Sequence, residues 1–483
     1  MSPISGARQP NPRPSLEPEP VSGSKTAPLN INQTKKIYYF HFGCRVNRLE
    51  TLNMENNSSL SNSTLTSFET SGSIEEAAYV VINTCTVTNR ADVKNRGAIR
   101  RVQKLNPHAK IIVTGCYATT DRQEIENMDG VYLVVSNAEK NSIPDLIAAI
   151  ETNEIDPSAI PTTTESEPAK ANRNQETIFK SYPQSLEKFS RAYLKIQDGC
   201  DKRCSYCKIP MARGKGISRN FRSIESEVKA LGKTGFAEII LTGINIGRYK
   251  TTGAADKVEN FSWLLHKLVT LPGHYYYRIS SLEPESLTPE IIELAGHKKI
   301  APFFHIPLQS ASQRILKLMN RKYNPELVMQ KFEALRKIRP DVHIGTDLIV
   351  GFPGETEDDF LQTLAFVKNA NFANIHIFPW SRRSQTSLDR KIDNGELQMV
   401  HGSIIRERVK RLKTAADISA QNYIQKTAGN VYRAIIETNN NETAQVTTEN
   451  YLKCRLPVST NLQKGQMVNI LYDTELVGEI VTR

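Results

Sequence analysis

Residues 198–210 read DGCDKRCSYCKIP, which places Cys200, Cys204 and Cys207 in a C-x3-C-x2-C run. Three thiolates within eight residues can hold three corners of a [4Fe–4S] cube. The fourth iron is then left without a protein ligand, open to a small molecule. Zinc is the competing reading, but a structural zinc site needs four closed ligands, usually two C-x2-C pairs. No fourth Cys or His lies within thirty residues on either side of this run.

Working outward, the run directly follows a strand. Strand candidates are Tyr193–Ile196, Glu238–Leu241, Tyr277–Ile279, Phe304–Ile306, His343–Val350 and Asn374–Phe378. Helical stretches such as Ile224–Leu231, Phe261–Val269, Gln313–Met319, Pro325–Ile338 and Glu357–Ala370 separate them. Six β–α repeats predict an incomplete parallel barrel whose strand-end loops carry the site. A second α/β series precedes it: Lys36–Phe42, Ala78–Asn83, Lys110–Thr114 and Val131–Val135 are its strands, with a helix over Asp92–Leu105. Three of these strands end at cysteines, in FHFGC (Cys44), VVINTC (Cys85) and IIVTGC (Cys116). In a parallel sheet such ends share one edge, where α/β proteins bind ligands. Three converging thiolates there imply a second [4Fe–4S] cluster, again with one open iron; three unrelated buried cysteines are the alternative.

The remaining blocks follow from composition. Residues 1–34 are proline-rich and expected to be disordered. The Asn- and Ser-rich stretch 54–73 reads as a loop inserted after a short helix. The expected domains are 35–150, a linker over 151–185, the barrel domain over 186–420 and a small antiparallel β-domain over 421–483, with a helix over Arg406–Tyr423. The fold class is therefore α/β with an all-β tail.

The chain has 483 residues and a formal net charge of +11, which suits a polyanionic partner. No run reaches the ~18 apolar residues a membrane span needs, and no signal peptide is visible. Seven cysteines without a secretory signal point to metal or redox use in a reducing compartment, with cytoplasm expected. The nine histidines show no ligand spacing, and Cys454, alone in a β segment, reads as structural.

The triplet Cys200, Cys204, Cys207, with its placement after the first barrel strand, resembles the radical S-adenosylmethionine (SAM) superfamily. That resemblance implies that SAM chelates the open iron and is cleaved to a 5′-deoxyadenosyl radical, which abstracts hydrogen from a C–H bond. It also implies SAM contacts at Tyr206, at Ser281 and Glu283 in SSLEPESL, and along GTDLIVGFPGE at 345–355; a solvated loop acid is the alternative for Glu283, and Gln309 in HIPLQSAS, which ends the fourth strand, is a further candidate ligand contact. Gly243 and Asn245, in GINIG after the second strand, suit a ligand-lining turn or an ordinary βα turn.

Taken with Cys44, Cys85 and Cys116, the architecture resembles the radical SAM methylthiotransferases over about residues 36–480. These carry an amino-terminal domain with three cluster cysteines, a radical SAM barrel and a small RNA-binding TRAM domain. The resemblance implies two [4Fe–4S] clusters, SAM as radical and methyl source, a tRNA anticodon stem-loop as substrate, and an electron donor such as flavodoxin or ferredoxin. GCRVNRLET and VVINTCTVTNRADVKNR resemble the branch that modifies C2 of N6-threonylcarbamoyladenosine. The isopentenyl-adenosine branch tends to read GCQMN, and the ribosomal-protein branch GCPKN. Those two substrates are the alternatives within the class; a noncatalytic iron–sulfur RNA-binding protein is the alternative outside it. PWSRRSQTSL at 379–388 departs from the family's usual run. Lys94, Arg96, Arg100, Arg101 and Lys104 on one helix, and Arg213, Lys215, Arg219 and Arg222 after the triplet, are candidate phosphate contacts or solvated charge.

Overall fold

Val80, Val81 and Ile82 are fully buried, and the whole segment Tyr79–Thr84 is closed to solvent on both faces. Only a parallel sheet covered on both sides asks this of a strand, and each such side chain contributes about 1.5–3 kcal/mol by burial. The structure, a computed structural model, describes residues 33–58, 66–156, 175–253, 257–440, 442–457 and 462–481. In the first unit β1 (Gln33–His41), β2 (Thr66–Thr70), β3 (Tyr79–Thr84), β4 (Lys110–Gly115) and β5 (Val131–Val134) form one parallel sheet in the order β2-β1-β3-β4-β5. The order reverses between β1 and β3, so the crevice at their carboxyl ends is the expected ligand position. The helices α1 (Arg45–Ser58), α2 (Asn89–Leu105) and α3 (Cys116–Thr120) start just beyond β1, β3 and β4.

The loop expected over 54–73 is corrected at both ends: α1 continues to Ser58, and Thr66–Thr70 is the edge strand β2. Composition misleads here because Asn53, Asn57 and Ser58 are buried within the fold. Asn53 Nδ2 donates to the Lys180 carbonyl at 3.0 Å, and Ser58 Oγ to that of Met54 at 2.9 Å. Residues 1–32, most of the expected disordered extension, and 157–174 within the expected linker lie outside the described residues.

The barrel strands are Ala192–Lys195, Glu238–Thr242, Tyr276–Ile279, Phe303–His305, His343–Val350 and Asn374–Pro379. The first three and the last three pair in parallel, and bridges at Tyr277–Ile300 and Ser281–His305 join the two halves. Among the described residues the first and sixth strands do not pair. The amino-terminal unit packs beside the first strand: Leu49 and Leu52 of α1 share one apolar core with Ala192, Leu194 and Ile196.

The helix Gly402–Thr427 leads into five antiparallel strands between Val431 and Ile480. Their ends nearly close a barrel, where Arg455 N–H donates to the Leu476 carbonyl at 2.9 Å. This domain docks against the start of the barrel strands. Arg278, fully buried, binds Glu238 at 3.1 Å and donates to the Glu449 carbonyl at 3.0 Å. The Tyr451 ring stacks beside Phe303 at 4.5 Å. No helix among the described residues is long and apolar enough to cross a membrane.

Candidate active site

Cys44, Cys85 and Cys116 follow β1, β3 and β4, three adjacent strands of one sheet, so their thiols meet at one edge. The convergence is built by backbone. Gly43 (φ +87°) and Gly115 (φ +97°) take conformations that L side chains rarely adopt, and a Cβ on Gly43 would fall on the sulfur of Cys85. Side chains fix the three strand ends to one another. Asn47 Nδ2 donates to the Phe42 and Thr84 carbonyls at 3.0 and 2.7 Å. Asn95 Nδ2 donates to the Cys85 carbonyl at 2.6 Å, and Thr84 Oγ1 to that of Thr114 at 2.5 Å. Burial, and then the neighbouring Cys116 and Cys44, push the Cys85 thiol up to about 12. Such a thiol ionises readily only when a cation compensates it.

Cys200, Cys204 and Cys207 lie in the loop beyond the first barrel strand, each partly exposed. The backbone N–H groups of Lys202 and Ile209 donate to the sulfurs of Cys200 and Cys207, both at 3.4 Å. Asn245 Nδ2 reaches Cys200 Sγ at 3.6 Å, while its Oδ1 is buried without a partner. In the other triplet, Asn137 Nδ2 reaches Cys116 Sγ at 3.4 Å. Donors directed at sulfur suit thiolates bound to a cluster, whose potential such bonds tune. All six cysteines are free. On these observations the residues fit two cubane clusters with three protein ligands each.

Of the other SAM-contact candidates, Glu283 and Tyr206 lie beside the second triplet. Glu283 accepts hydrogen bonds from Lys202 at 3.1 Å and from Arg321, and Arg321 also reaches the Tyr206 hydroxyl at 3.1 Å. The Tyr206 ring meets Phe352 edge-on at 6.2 Å. Ser281 is exposed at the end of the third strand. Gln309, buried and left-handed (φ +65°), is locked by backbone bonds to Asp347 and Ile349 at 2.8 and 2.9 Å. Gly243 packs so tightly on the Gln197 carbonyl that an added Cβ would lie 2.7 Å from it, which favours the turn reading for this glycine.

Between the triplets lies a buried ionic network. Glu50 of α1 is bound by Lys140, by Lys195 at 2.6 Å and by Arg213 at 3.0 and 2.9 Å. Asp198 is bound by Lys195 at 2.7 Å and Arg213 at 3.1 Å, and Asn47 Oδ1 accepts from Arg213 at 2.6 Å. Burial alone would raise the Glu50 carboxyl; Arg213, Lys140 and Lys195 overcome it and hold it well below the usual range. Two carboxylates face three cations, so the network leaves net positive charge beside Cys44, Cys85 and Cys116. A second bridge joins Arg383, in the divergent 379–388 stretch, to Asp92 at 2.6 Å and to the Thr86 carbonyl at 2.8 Å.

Burial in ion pairs corrects two readings. Arg213 and Arg219 are buried in ion pairs, Arg219 with Glu227, and are not phosphate contacts. Lys94, Arg100, Arg101 and Lys104 of α2 are exposed, whereas Arg96 pairs with Glu124 at 3.0 Å. Sequence spacing also missed a histidine cluster. His305, Asp347 and His376, from three neighbouring strands, bring their polar atoms within 4.8 Å of one another, with His–Asp contacts of 3.0 and 3.2 Å. Glu50, Lys140, Lys202 and Arg321 gave no sequence signal, because only the fold pairs them.

Comparisons with known proteins bear on the same two units. The model of the Radical SAM superfamily matches residues 194–367, and that of uncharacterized protein family UPF0004 matches residues 36–136. The chain is 36% identical over 422 residues to a threonylcarbamoyladenosine tRNA methylthiotransferase of Bacillus subtilis, covering 86% of this chain and 89% of that one. The corresponding Aquifex aeolicus protein is 35% identical, over 86% and 95%. A tRNA-2-methylthio-N6-dimethylallyladenosine synthase of Rickettsia rickettsii is 33% identical, over 73% and 78%. Among solved structures, the radical SAM methyltransferase TsrM of Kitasatospora setae shares the fold, with a TM-score of 0.57 at 14% identity over 75% of this chain and 78% of that one.

Proposed function

The chain belongs to the methylthiotransferase family of radical SAM enzymes, and from that footing we propose that it adds sulfur and a methyl group at C2 of N6-threonylcarbamoyladenosine beside a tRNA anticodon. The observation that carries the reading is the pair of cysteine triplets, Cys44/Cys85/Cys116 and Cys200/Cys204/Cys207, fixed to one another through Glu50, Arg213 and Asp198. When bound, a reduced [4Fe–4S] cluster with SAM supplies a 5′-deoxyadenosyl radical, and a second cluster supplies the sulfur.

The chain's own residues do the rest. Cys200, Cys204 and Cys207 hold the first cluster; Cys44, Cys85 and Cys116 hold the second. Glu283, clamped between Lys202 and Arg321, presents a fixed carboxylate to the polar groups of SAM. The unpartnered Asn245 Oδ1 is a further acceptor for SAM, and Tyr206, Gln309 and Ser281 supply its remaining contacts. The Glu50–Arg213–Lys195 network keeps the two sites at one separation, which would set the substrate between the two groups once they are bound. Lys94, Arg100, Arg101 and Lys104 contact phosphates near the anticodon loop, and the carboxyl-terminal β-domain grips the RNA. A flavodoxin- or ferredoxin-type donor supplies electrons, and the cytoplasm is where such donors and tRNA meet.

Mass spectrometry of tRNA nucleosides from a deletion strain tests the reading. Loss of the methylthio group from threonylcarbamoyladenosine, restored by the intact gene, supports it. Unchanged nucleosides, or loss confined to dimethylallyladenosine, overturns it. Anaerobic incubation with SAM and reductant yields 5′-deoxyadenosine if the protein is catalytic and none if it is a passive iron–sulfur RNA binder.

A further inference from the structure

Arg45 is the first residue of α1, next in the chain to Cys44. Its guanidinium lies 5.7 Å from the Tyr451 ring and donates to the Tyr451 hydroxyl at 2.7 Å. It is also in electrostatic reach of His376, which with His305 and Asp347 forms the polar cluster inside the barrel. Several cations around the two cysteine triplets are committed: Arg213, Lys195, Lys202, Arg321, Lys208 and Arg383 all hold carboxylates. Among the described residues Arg45 has no carboxylate partner, although it is half-buried where an unpaired charge is costly.

The chemistry of the base says what could pair with it. In adenine, C2 and C6 flank N1, so a substituent on N6 leaves the ring from the edge that carries the reacting carbon. If C2 meets sulfur held beside Cys44, that substituent lies among the residues adjoining Cys44. A threonylcarbamoyl group ends in a carboxylate and a hydroxyl; a dimethylallyl group is wholly apolar. We infer that Arg45 is the residue that selects the N6 substituent, its guanidinium binding the threonyl carboxylate. The His305–Asp347–His376 cluster offers a partner for the hydroxyl. The inference rests on the proposed function and explains how that substrate is distinguished from the dimethylallyl base of a relative that is about as similar in sequence. A charged fork suits a carboxylate in two-pronged geometry, and a site built for polar partners rejects the analogue that lacks them.

The test uses the reconstituted full-length protein and two anticodon stem-loops, one with threonylcarbamoyladenosine and one with dimethylallyladenosine. Equilibrium binding by fluorescence anisotropy, kcat/KM for methylthiolation, and iron content are measured for wild type, R45Q, R45K and H376Q. Arg45→Gln is expected to lower the preference for the threonylcarbamoyl RNA by about 10- to 100-fold in kcat/KM and to weaken its binding, with dimethylallyl RNA bound as before. Arg45→Lys recovers part of the preference, and iron content stays at the wild-type value. An R45Q preference equal to wild type overturns the inference. If R45Q loses iron, H376Q decides: a smaller shift in the same direction supports the inference, and none overturns it. A wild-type protein that modifies neither RNA, or prefers the dimethylallyl one, removes the proposed function itself. A wild type that prefers the threonylcarbamoyl RNA beside an unmoved R45Q leaves that function standing and removes only the role of Arg45.

Discussion

A single methyl group on Gly43 would lie 2.2 Å from the Cys85 sulfur, so the first triplet depends on a residue that binds nothing itself. Gly43→Ala is expected to reduce iron content to about half while 5′-deoxyadenosine formation persists, because only one of two [4Fe–4S] sites is lost; iron assay and SAM cleavage are the checks. Cys85→Ala should behave likewise and abolish sulfur insertion, whereas Cys204→Ala should abolish SAM cleavage as well. Cys85→Ala with normal sulfur transfer contradicts this division of labour. The cysteines were legible because contiguous spacing exposes one triplet and strand-end position the other. Arg213 and Arg219 were not, since a basic residue after a glycine-bearing loop looks the same whether solvated or buried in an ion pair. His305, Asp347 and His376 were invisible because parallel pairing of three strands brings them together, while their sequence separations carry no periodicity.

At the level of elements, α1 carries Asn47 and Glu50 from the amino-terminal unit into the barrel domain's ionic network, and neutralising Glu50 leaves Lys140 buried without a carboxylate while Lys195 and Arg213 share Asp198 alone. Glu50→Gln is expected to destabilise the protein by about 3–5 kcal/mol, read as a lowered denaturation midpoint in urea. An unchanged midpoint would mean that Asp198 alone compensates Lys195 and Arg213 and that Lys140 needs no carboxylate. Strands that contain short apolar runs, such as Tyr79–Ile82 within YVVINT and Leu348–Val350 within HIGTDLIV, announced themselves. The carboxyl half of α1 and the edge strand β2 did not. Asn56, Ser58 and Ser67 bond within the fold and Asn57 is buried, and a pattern of polar letters cannot tell that from solvent exposure.

For the molecule as a whole, three blocks were readable in order, but their docking was not, because it rests on side chains scattered through the chain. His343 marks one such junction, between the Phe303 ring of the barrel at 5.0 Å and Tyr423 and Tyr451 at 5.4 and 6.1 Å. Burial, helped by the Arg278 charge, lowers its pKa from the ordinary value of 6.5 to about 3. Between those values the unfolded chain takes up a proton that the native chain refuses, so stability falls as pH drops from 6.5 toward 3, by at most about 1.4 kcal/mol per unit from this group. Thermal denaturation should show that slope in the wild type and a shallower one in His343→Phe. Equal slopes would place the acid sensitivity elsewhere.

The claim beneath all of this is that one chain carries two independent clusters. Iron and sulfide analysis with Mössbauer spectroscopy after anaerobic reconstitution addresses it directly, comparing wild type with a Cys200/Cys204/Cys207 triple alanine variant. The account predicts about eight irons per wild-type chain and about four in the variant, both as [4Fe–4S]. A wild-type chain with about four irons, or a triple variant with none, would contradict it.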